Sequence, residues 1–342
     1  MPGFLERLLD APQQLMLWGT LLLGLLLGAL LQWSRLCLLR GLVHARHGNT
    51  LKLKAFALAM ASAMLCTSLL AWYSGIDLGA SLYVQDNPAL PLLFAGGLIF
   101  GCGMTLANAC GARSLVLCAS GNLRSLVTLL ALAIGAGLSL TGLLAEWRVA
   151  LEQLGQIQLP WSRLPLAGGL LLAAVLLWFS LGTRQLWQSP RDLLGGLLTG
   201  VLVAAGWWLT GVAGADEFEP IPLASLTFIA PIFETQQYML LSTGSKLDFG
   251  IVLVIGVFAG ALLRTLLAGE FAWQYFESPV QLRRSLAGGL LMGVGGVLAL
   301  GCTFGQALSG LSTLAIASLV ATAGIVGGAW LSITLIHKNL EV

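Results

Sequence analysis

Charge is what this sequence has least of. Lys, Arg, Asp and Glu make up 9% of its 342 residues, where a soluble domain carries about 25%. Seventeen basic and fifteen acidic side chains cannot cover a soluble protein of this size, so a water-soluble enzyme is excluded. A hydrophobic share of 57% excludes a disordered chain. The formal net charge of +2 gives no reason to expect a nucleic-acid partner. Cysteine and histidine are scarce as well. Six cysteines are too few for a disulfide scaffold, and most sit in apolar stretches, so they read as thiols. No Cys-x-x-Cys pair is present. Cys102, Cys110 and Cys118 are spaced by eight residues, and His44, His47 and His337 all lie outside the apolar stretches. Neither a metal site nor a cofactor is expected. No nucleotide-binding motif is visible, so no ATP-driven step is built into this chain.

What is present is glycine and long apolar runs. There are 43 glycines, well above the usual ~7%, and the mean hydropathy is +0.89. This combination describes a polytopic, all-α membrane protein whose helices pack closely or are broken. A span needs roughly 20 apolar residues. Residues 13–34, 55–76, 88–112, 125–145, 164–183, 193–215 and 249–268 each qualify, and the uncharged run 285–336 is long enough for two passages. That makes nine. The first run is too long for a simple signal peptide and lacks its basic start and cleavage site. Residues 220–246, with Pro222, Pro231 and Glu234, read as a re-entrant or interfacial segment.

Basic residues of short loops set the orientation. Arg35, Arg40, Arg46, Lys52 and Lys54 follow the first span and place that loop in the cytoplasm. Alternation then puts Arg113, Arg124, Arg184, Arg191, Arg283 and Arg284 inside. Asp77, Asp86, Asp216, Glu217 and Glu219 fall outside. The N-terminus is expected in the periplasm and the C-terminus, with Lys338, in the cytoplasm.

The chain carries an internal echo. Residues 95–110 read AGGLIFGCGMTLANAC and residues 287–302 read AGGLLMGVGGVLALGC. They align without gaps, ending at Cys110 and Cys302. Each is followed by a short polar break and another apolar span. In the nine-span topology the two copies enter the membrane from opposite sides, as in the inverted repeats of transporters and channels. One membrane domain over 1–342 is expected, with a first repeat at 12–145, a linker helix at 164–183 and a second repeat at 193–336. Spacings such as Gly24 to Gly28 and Gly196 to Gly200 read as helix packing. The glycines of the aligned segments come with a matched cysteine and a matched break, which points to short re-entrant half-helices beside a pathway.

The chemistry then falls to the thiols. Cys37 lies at the end of the first span, and Cys110 and Cys302 at the two breaks. Cys66, Cys102 and Cys118 read as small hydrophobes. A thiol in apolar surroundings stays protonated and is a weak, soft S–H donor. A neutral thiol meets an anion without repulsion and without holding it tightly, which suits permeation. Asn108 and Gln306 flank the breaks, as pathway groups or as bridges between helices. Arg113 is either an anion attractor or a membrane anchor. Glu234 is either interfacial or functional. His44 and His47 belong to a solvated basic loop.

Several segments resemble the YeeE/YedE family of bacterial inner-membrane sulfur transporters: QWSRLC (32–37), GCGMTLANACGAR (101–113), GNLRSLV (121–127) and GGLLMGVGGVLALGCTFGQALSGLSTLA (288–315). The similarity covers most of the chain and is weakest between residues 146 and 246. The resemblance implies nine helices in an hourglass-like, pseudo-symmetric body. It also implies thiosulfate uptake in which three cysteines, matching Cys37, Cys110 and Cys302, hand the ion along by S–H···S hydrogen bonds. A TusA/YeeD-like cytoplasmic sulfur-carrier protein is the implied partner, besides the lipid bilayer and the anion. Two features depart from the family pattern: Trp33 stands where an arginine is usual, and Cys102 and Cys118 are extra thiols. The other readings are a selenium or sulfur-compound permease of the YedE type and a membrane thiol-redox enzyme.

Overall fold

The computed structural model describes residues 12–158, 160–182, 184–214, 222–244 and 246–336. The expected acidic loop at Asp216, Glu217 and Glu219, and His337 and Lys338, lie outside the described residues.

The chain runs α1 (Pro12–Ser34), α2 (Leu38–Arg46), α3 (Leu51–Ser74), α4 (Leu90–Ala107), α5 (Gly111–Ala119), α6 (Leu123–Leu140), α7 (Ala145–Leu154), α8 (Leu166–Leu181) and α9 (Arg184–Trp187). It continues with α10 (Pro190–Trp208), α11 (Ile229–Leu240), α12 (Phe249–Leu267), α13 (Pro279–Leu298) and α14 (Ile316–Ile336). Two π-helical turns interrupt this order, Leu209–Ala213 after α10 and Gly305–Gly310 between α13 and α14. No strand forms among the described residues, only two isolated bridges. Helices α1, α3, α4, α6, α10, α12 and α14 are long and apolar enough to cross a bilayer. The protein is therefore an all-α, multi-pass membrane protein. Helix α8 is apolar but has 16 residues, and α13 carries Arg283 and Arg284 near its start.

Two segments differ from a plain series of spans. The basic stretch after α1 is not simply a loop, because Leu38, Leu39, Leu42 and Val43 of α2 are buried. The basic residues between them are spaced so that one face of a short helix stays apolar. Within residues 220–246 stands α11, with 12 residues too short to cross. It starts at buried Phe228 and Ile229 and ends at exposed Met239 and Leu240.

Between helices in lipid there is little hydrophobic drive, so association rests on close packing at small residues. A Cβ on Gly28 would overlap the Val257 carbonyl, and one on Gly260 the Leu25 carbonyl, so α1 and α12 touch backbone to backbone. Helix α10 meets α3 in the same way at Gly196 and Gly200. The aligned glycine-rich helices α4 and α13 lie antiparallel against each other. A Cβ on Gly103 would sit 2.7 Å from the Gly288 carbonyl oxygen, and one on Gly295 would sit 2.5 Å from the Phe100 nitrogen. In this register the end of α4 lies beside Gly288 near the start of α13, and the end of α13 beside Gly96 near the start of α4.

Gly28→Leu should therefore lower the yield and melting temperature of the purified protein sharply. Overpacking costs about 1–3 kcal/mol where neighbours can shift, and a carbonyl on a packed helix cannot. Gly327→Ala, whose Cβ would meet only Leu98 Cδ2 at 3.6 Å, should melt within a few degrees of the parent protein. Comparable melting for both variants would contradict the packing described here.

Candidate functional site

One backbone device occurs three times. A helix ends, the next residue or two takes a left-handed conformation, and a cysteine follows two residues later at the start of another helix. The left-handed residues are Arg35 (φ 53°), Asn108 (φ 58°) and Leu300 (φ 54°). The cysteines are Cys37, Cys110 and Cys302, which directly precede α2, α5 and the turn that runs into Gly305–Gly310. Asparagine enters the left-handed region readily, whereas arginine and leucine pay a steric cost there. All three thiols thus sit at helix starts, where free backbone N–H groups and the helix dipole favour negative charge. The Gly305 N–H donates to Cys302 Sγ at 3.4 Å, and the Phe228 N–H also faces that sulfur. The corresponding N–H groups of Arg40 and Arg113 face Cys37 and Cys110 without closing a side-chain cap.

The breaks converge. All six cysteines are free, and Cys37, Cys110 and Cys302 are the buried ones. The Cys37 and Cys110 side chains face each other, and Cys302 lies within electrostatic reach of Cys110. Cys66, Cys102 and Cys118 are only partly buried, and Cys102 Sγ donates to the Gly328 carbonyl at 3.5 Å.

Below Cys110 opens a vestibule of about 460 Å³, lined by Gln32, Arg35, Arg40, Asn108, Arg113, Arg124 and Glu270 among others. Arg113 is 5% exposed and donates from Nη1 to the Leu31 carbonyl at 3.1 Å, while its Nε has no partner. A guanidinium this deep is not an anchor at the lipid surface. Arg35 meets Glu270 at 3.8 Å across the mouth. The stretch after α12 is pinned over this end by Leu123 N to Gln274 O (3.1 Å) and Gln274 N to Gly121 O (3.1 Å). At the other end the stretch before α8 makes the matching attachment, Leu164 N to Leu314 O (2.8 Å) and Ile316 N to Ser162 O (3.2 Å).

Around Cys302 the interior is filled by aromatic side chains. Phe228 and Phe304 pack edge to face at 5.6 Å, and Tyr83 does the same with Trp207 at 6.3 Å. Gln306 is buried in the turn after Cys302 and donates from Nε2 to the Ala299 carbonyl, which the broken α13 leaves open. Glu234 is not brought to the thiols. It is half-buried on α11, close to Gly250 and Asp248 at the start of α12. Two features carried no sequence signal. Tyr83 lies in an irregular loop. Lys52 donates to Asp192 Oδ1 at 2.6 Å and to the Ser34 carbonyl at 3.1 Å, which fixes the end of α1 just before Cys37.

Broken helices that meet inside a multi-pass helical body are the build of a membrane transporter. Residues 33–331 match the family model described as sulphur transport, and the chain belongs to that family. It is 27% identical over 354 aligned residues to a protein of Spirochaeta thermophila named thiosulfate transporter TsuA, covering 92% of this chain and 97% of that one. It is 23% identical over 141 residues to the Escherichia coli protein of the same name, covering 41% of this chain and 38% of the relative. The family is one of transport and not of enzymes.

The Lys52–Asp192 pair yields a prediction. Removing one partner of a buried ion pair costs about 3–5 kcal/mol, because the other charge is left without compensation. Asp192 is 4% exposed, so Lys52→Met should lower the melting temperature markedly. The double variant Lys52→Met, Asp192→Leu should recover much of the loss. A double variant as unstable as the single one would show that the pair is not what holds these helix ends.

Proposed function

We propose that this protein takes up thiosulfate, or a closely related small sulfur-containing anion, across the bacterial inner membrane. The ion passes along a central route on which Cys37, Cys110 and Cys302 act in turn as neutral thiols. The observation that carries this reading is the meeting of the three thiols, each at the start of a helix. Three helix N-termini make the interior favourable to an anion. Neutral S–H groups add soft, weak contacts that let it move on. A thiolate would repel a dianion and would be costly to bury. Both named relatives are thiosulfate transporters, which supports the choice of substrate.

The route runs between two inverted repeats, 12–145 and 193–336, joined through the helix at 164–183. The pairing of helices supports this duplication: α1 packs on α12 as α10 packs on α3, and α14 packs on α4 as α6 packs on α13. With α8 and α13 counted as crossings there are nine spans, the N-terminus is periplasmic and the C-terminus cytoplasmic. The vestibule is then the cytoplasmic exit, because Arg35, Arg40 and Arg124 line it. Asn108 and Gln306 serve the route by holding the breaks, and Arg113 by its charge at the exit. Glu234 stands apart from it. A TusA/YeeD-like sulfur carrier receives the ion on the cytoplasmic side.

Cells lacking other sulfate and thiosulfate importers test this reading. Cys37→Ala, Cys110→Ala and Cys302→Ala should each reduce uptake of labelled thiosulfate about tenfold or more, the effect of losing one donor to a charged ion at a constriction. Cys66→Ala should leave uptake unchanged. Equal tolerance at all four positions, at normal protein levels, would remove the thiols from the mechanism. Reporter fusions should place the two termini on opposite sides of the membrane. Finding both on one side would overturn the nine-span topology.

A further inference from the structure

The vestibule holds more than an exit needs. Four arginines, Arg35, Arg40, Arg113 and Arg124, line it together with a single carboxylate, Glu270. Two of its polar atoms are buried without a partner, Arg113 Nε and Gln32 Oε1, on side chains 5% and 8% exposed. Buried polar atoms are nearly always satisfied. Both residues belong to the wall of the same cavity, so the unpartnered guanidinium N–H and amide lie just behind its surface. The Gln32 amide carries donor and acceptor alike, so it can serve either kind of ligand atom. Glu270 does not neutralise the site. It meets Arg35 at 3.8 Å with both side chains about half exposed, and such a pair is worth little.

We infer that this vestibule is a binding site in its own right, for a small tetrahedral oxyanion such as sulfate, distinct from the thiols but at the end of the route they form. The lining decides the chemical class. Arginine, asparagine, glutamine and serine supply N–H and O–H donors, and the apolar members are only Ala107, Ala109 and Leu117. No aromatic face is there to stack a base, which argues against a nucleotide. Guanidinium N–H groups bind oxyanions through charge-assisted hydrogen bonds. Such donors recognise terminal oxygens and have no need of a terminal sulfur. The site therefore does not distinguish thiosulfate from sulfate, as a soft thiol does. An oxyanion held there stands against Asn108 and Ala109, directly before Cys110, and blocks delivery from the thiols. Sulfate on the vestibule side is thus an inhibitor of uptake. This regulatory consequence rests on the transport reading above, whereas the binding site does not.

The full-length protein in lipid nanodiscs, titrated calorimetrically with sodium sulfate and with sodium thiosulfate, tests the site. Sulfate should bind, with an affinity within about threefold of that for thiosulfate. Arg113→Gln should weaken sulfate binding about tenfold, as the loss of one hydrogen bond from a charged group implies. Cys302→Ala should not change it. Should Arg113→Gln fail to fold, Arg40→Gln and Arg124→Gln at the mouth should each weaken binding about threefold, and by less at high salt. Absence of sulfate binding to the parent protein, or unchanged binding in all the arginine variants that fold, would overturn the inference. In proteoliposomes, sulfate on the vestibule side should slow thiosulfate entry and sulfate on the opposite side should not. Equal inhibition from both sides would overturn the assignment of the site to the vestibule. Sulfate binding that persists in a protein unable to move thiosulfate would count against the transport reading alone.

Discussion

A backbone that leaves a helix inside a membrane must find partners for the groups it frees. Everything at this site depends on that constraint. Three helices break before Cys37, Cys110 and Cys302, and at two of these breaks side chains from outside the broken helix meet the loose ends. Arg113 donates to the Leu31 carbonyl and Lys52 to the Ser34 carbonyl, both at the end of α1. Gln306 donates to the Ala299 carbonyl at the end of α13. Each charged or amide group thereby positions a thiol it does not belong to. The helix starts beyond the breaks keep their free N–H groups, and these face the thiols.

Close packing places the breaks. Glycine faces on α4 and α13 let the two backbones touch along an antiparallel contact with a break at either end, and the chain beyond each break turns back inward, so that Thr303 meets Met104 and Cys302 lies within electrostatic reach of Cys110. The irregular stretches after α12 and before α8 are tied down by main-chain hydrogen bonds at opposite ends of the molecule. That likeness is the physical counterpart of the proposed duplication. The two ends are nevertheless not equivalent. One opens into an arginine-lined cavity, and the other is filled by Tyr83, Trp207, Phe228 and Phe304.

Much of this was legible in the sequence. Scarce charge and long apolar runs gave an all-α membrane protein, and the two glycine-rich segments ending in cysteine marked two of the three breaks. The break before Cys37 was located only as a span end, because Arg35 and Arg40 disguise α2 as a loop. Its buried face of Leu38, Leu39, Leu42 and Val43 is too short for a hydropathy window to detect. The left-handed residues at Arg35 and Leu300 were invisible, since neither residue type favours that conformation. Arg113 was undecided between anchor and pathway, because no local pattern shows how deeply a side chain is buried. Tyr83 and the Lys52–Asp192 pair depend on contacts between distant parts of the chain, which no local pattern encodes.

The most direct test of the central claim is the rate at which Cys37, Cys110 and Cys302 are alkylated. A variant with Cys66, Cys102 and Cys118 replaced by alanine, held in nanodiscs, would be treated with a charged alkylating reagent and read by mass spectrometry. All three thiols should react slowly, because they are buried at helix starts inside the protein, and thiosulfate should slow them together. Labelling at the rate of exposed thiols, unaffected by thiosulfate, would contradict a buried thiol route for the anion.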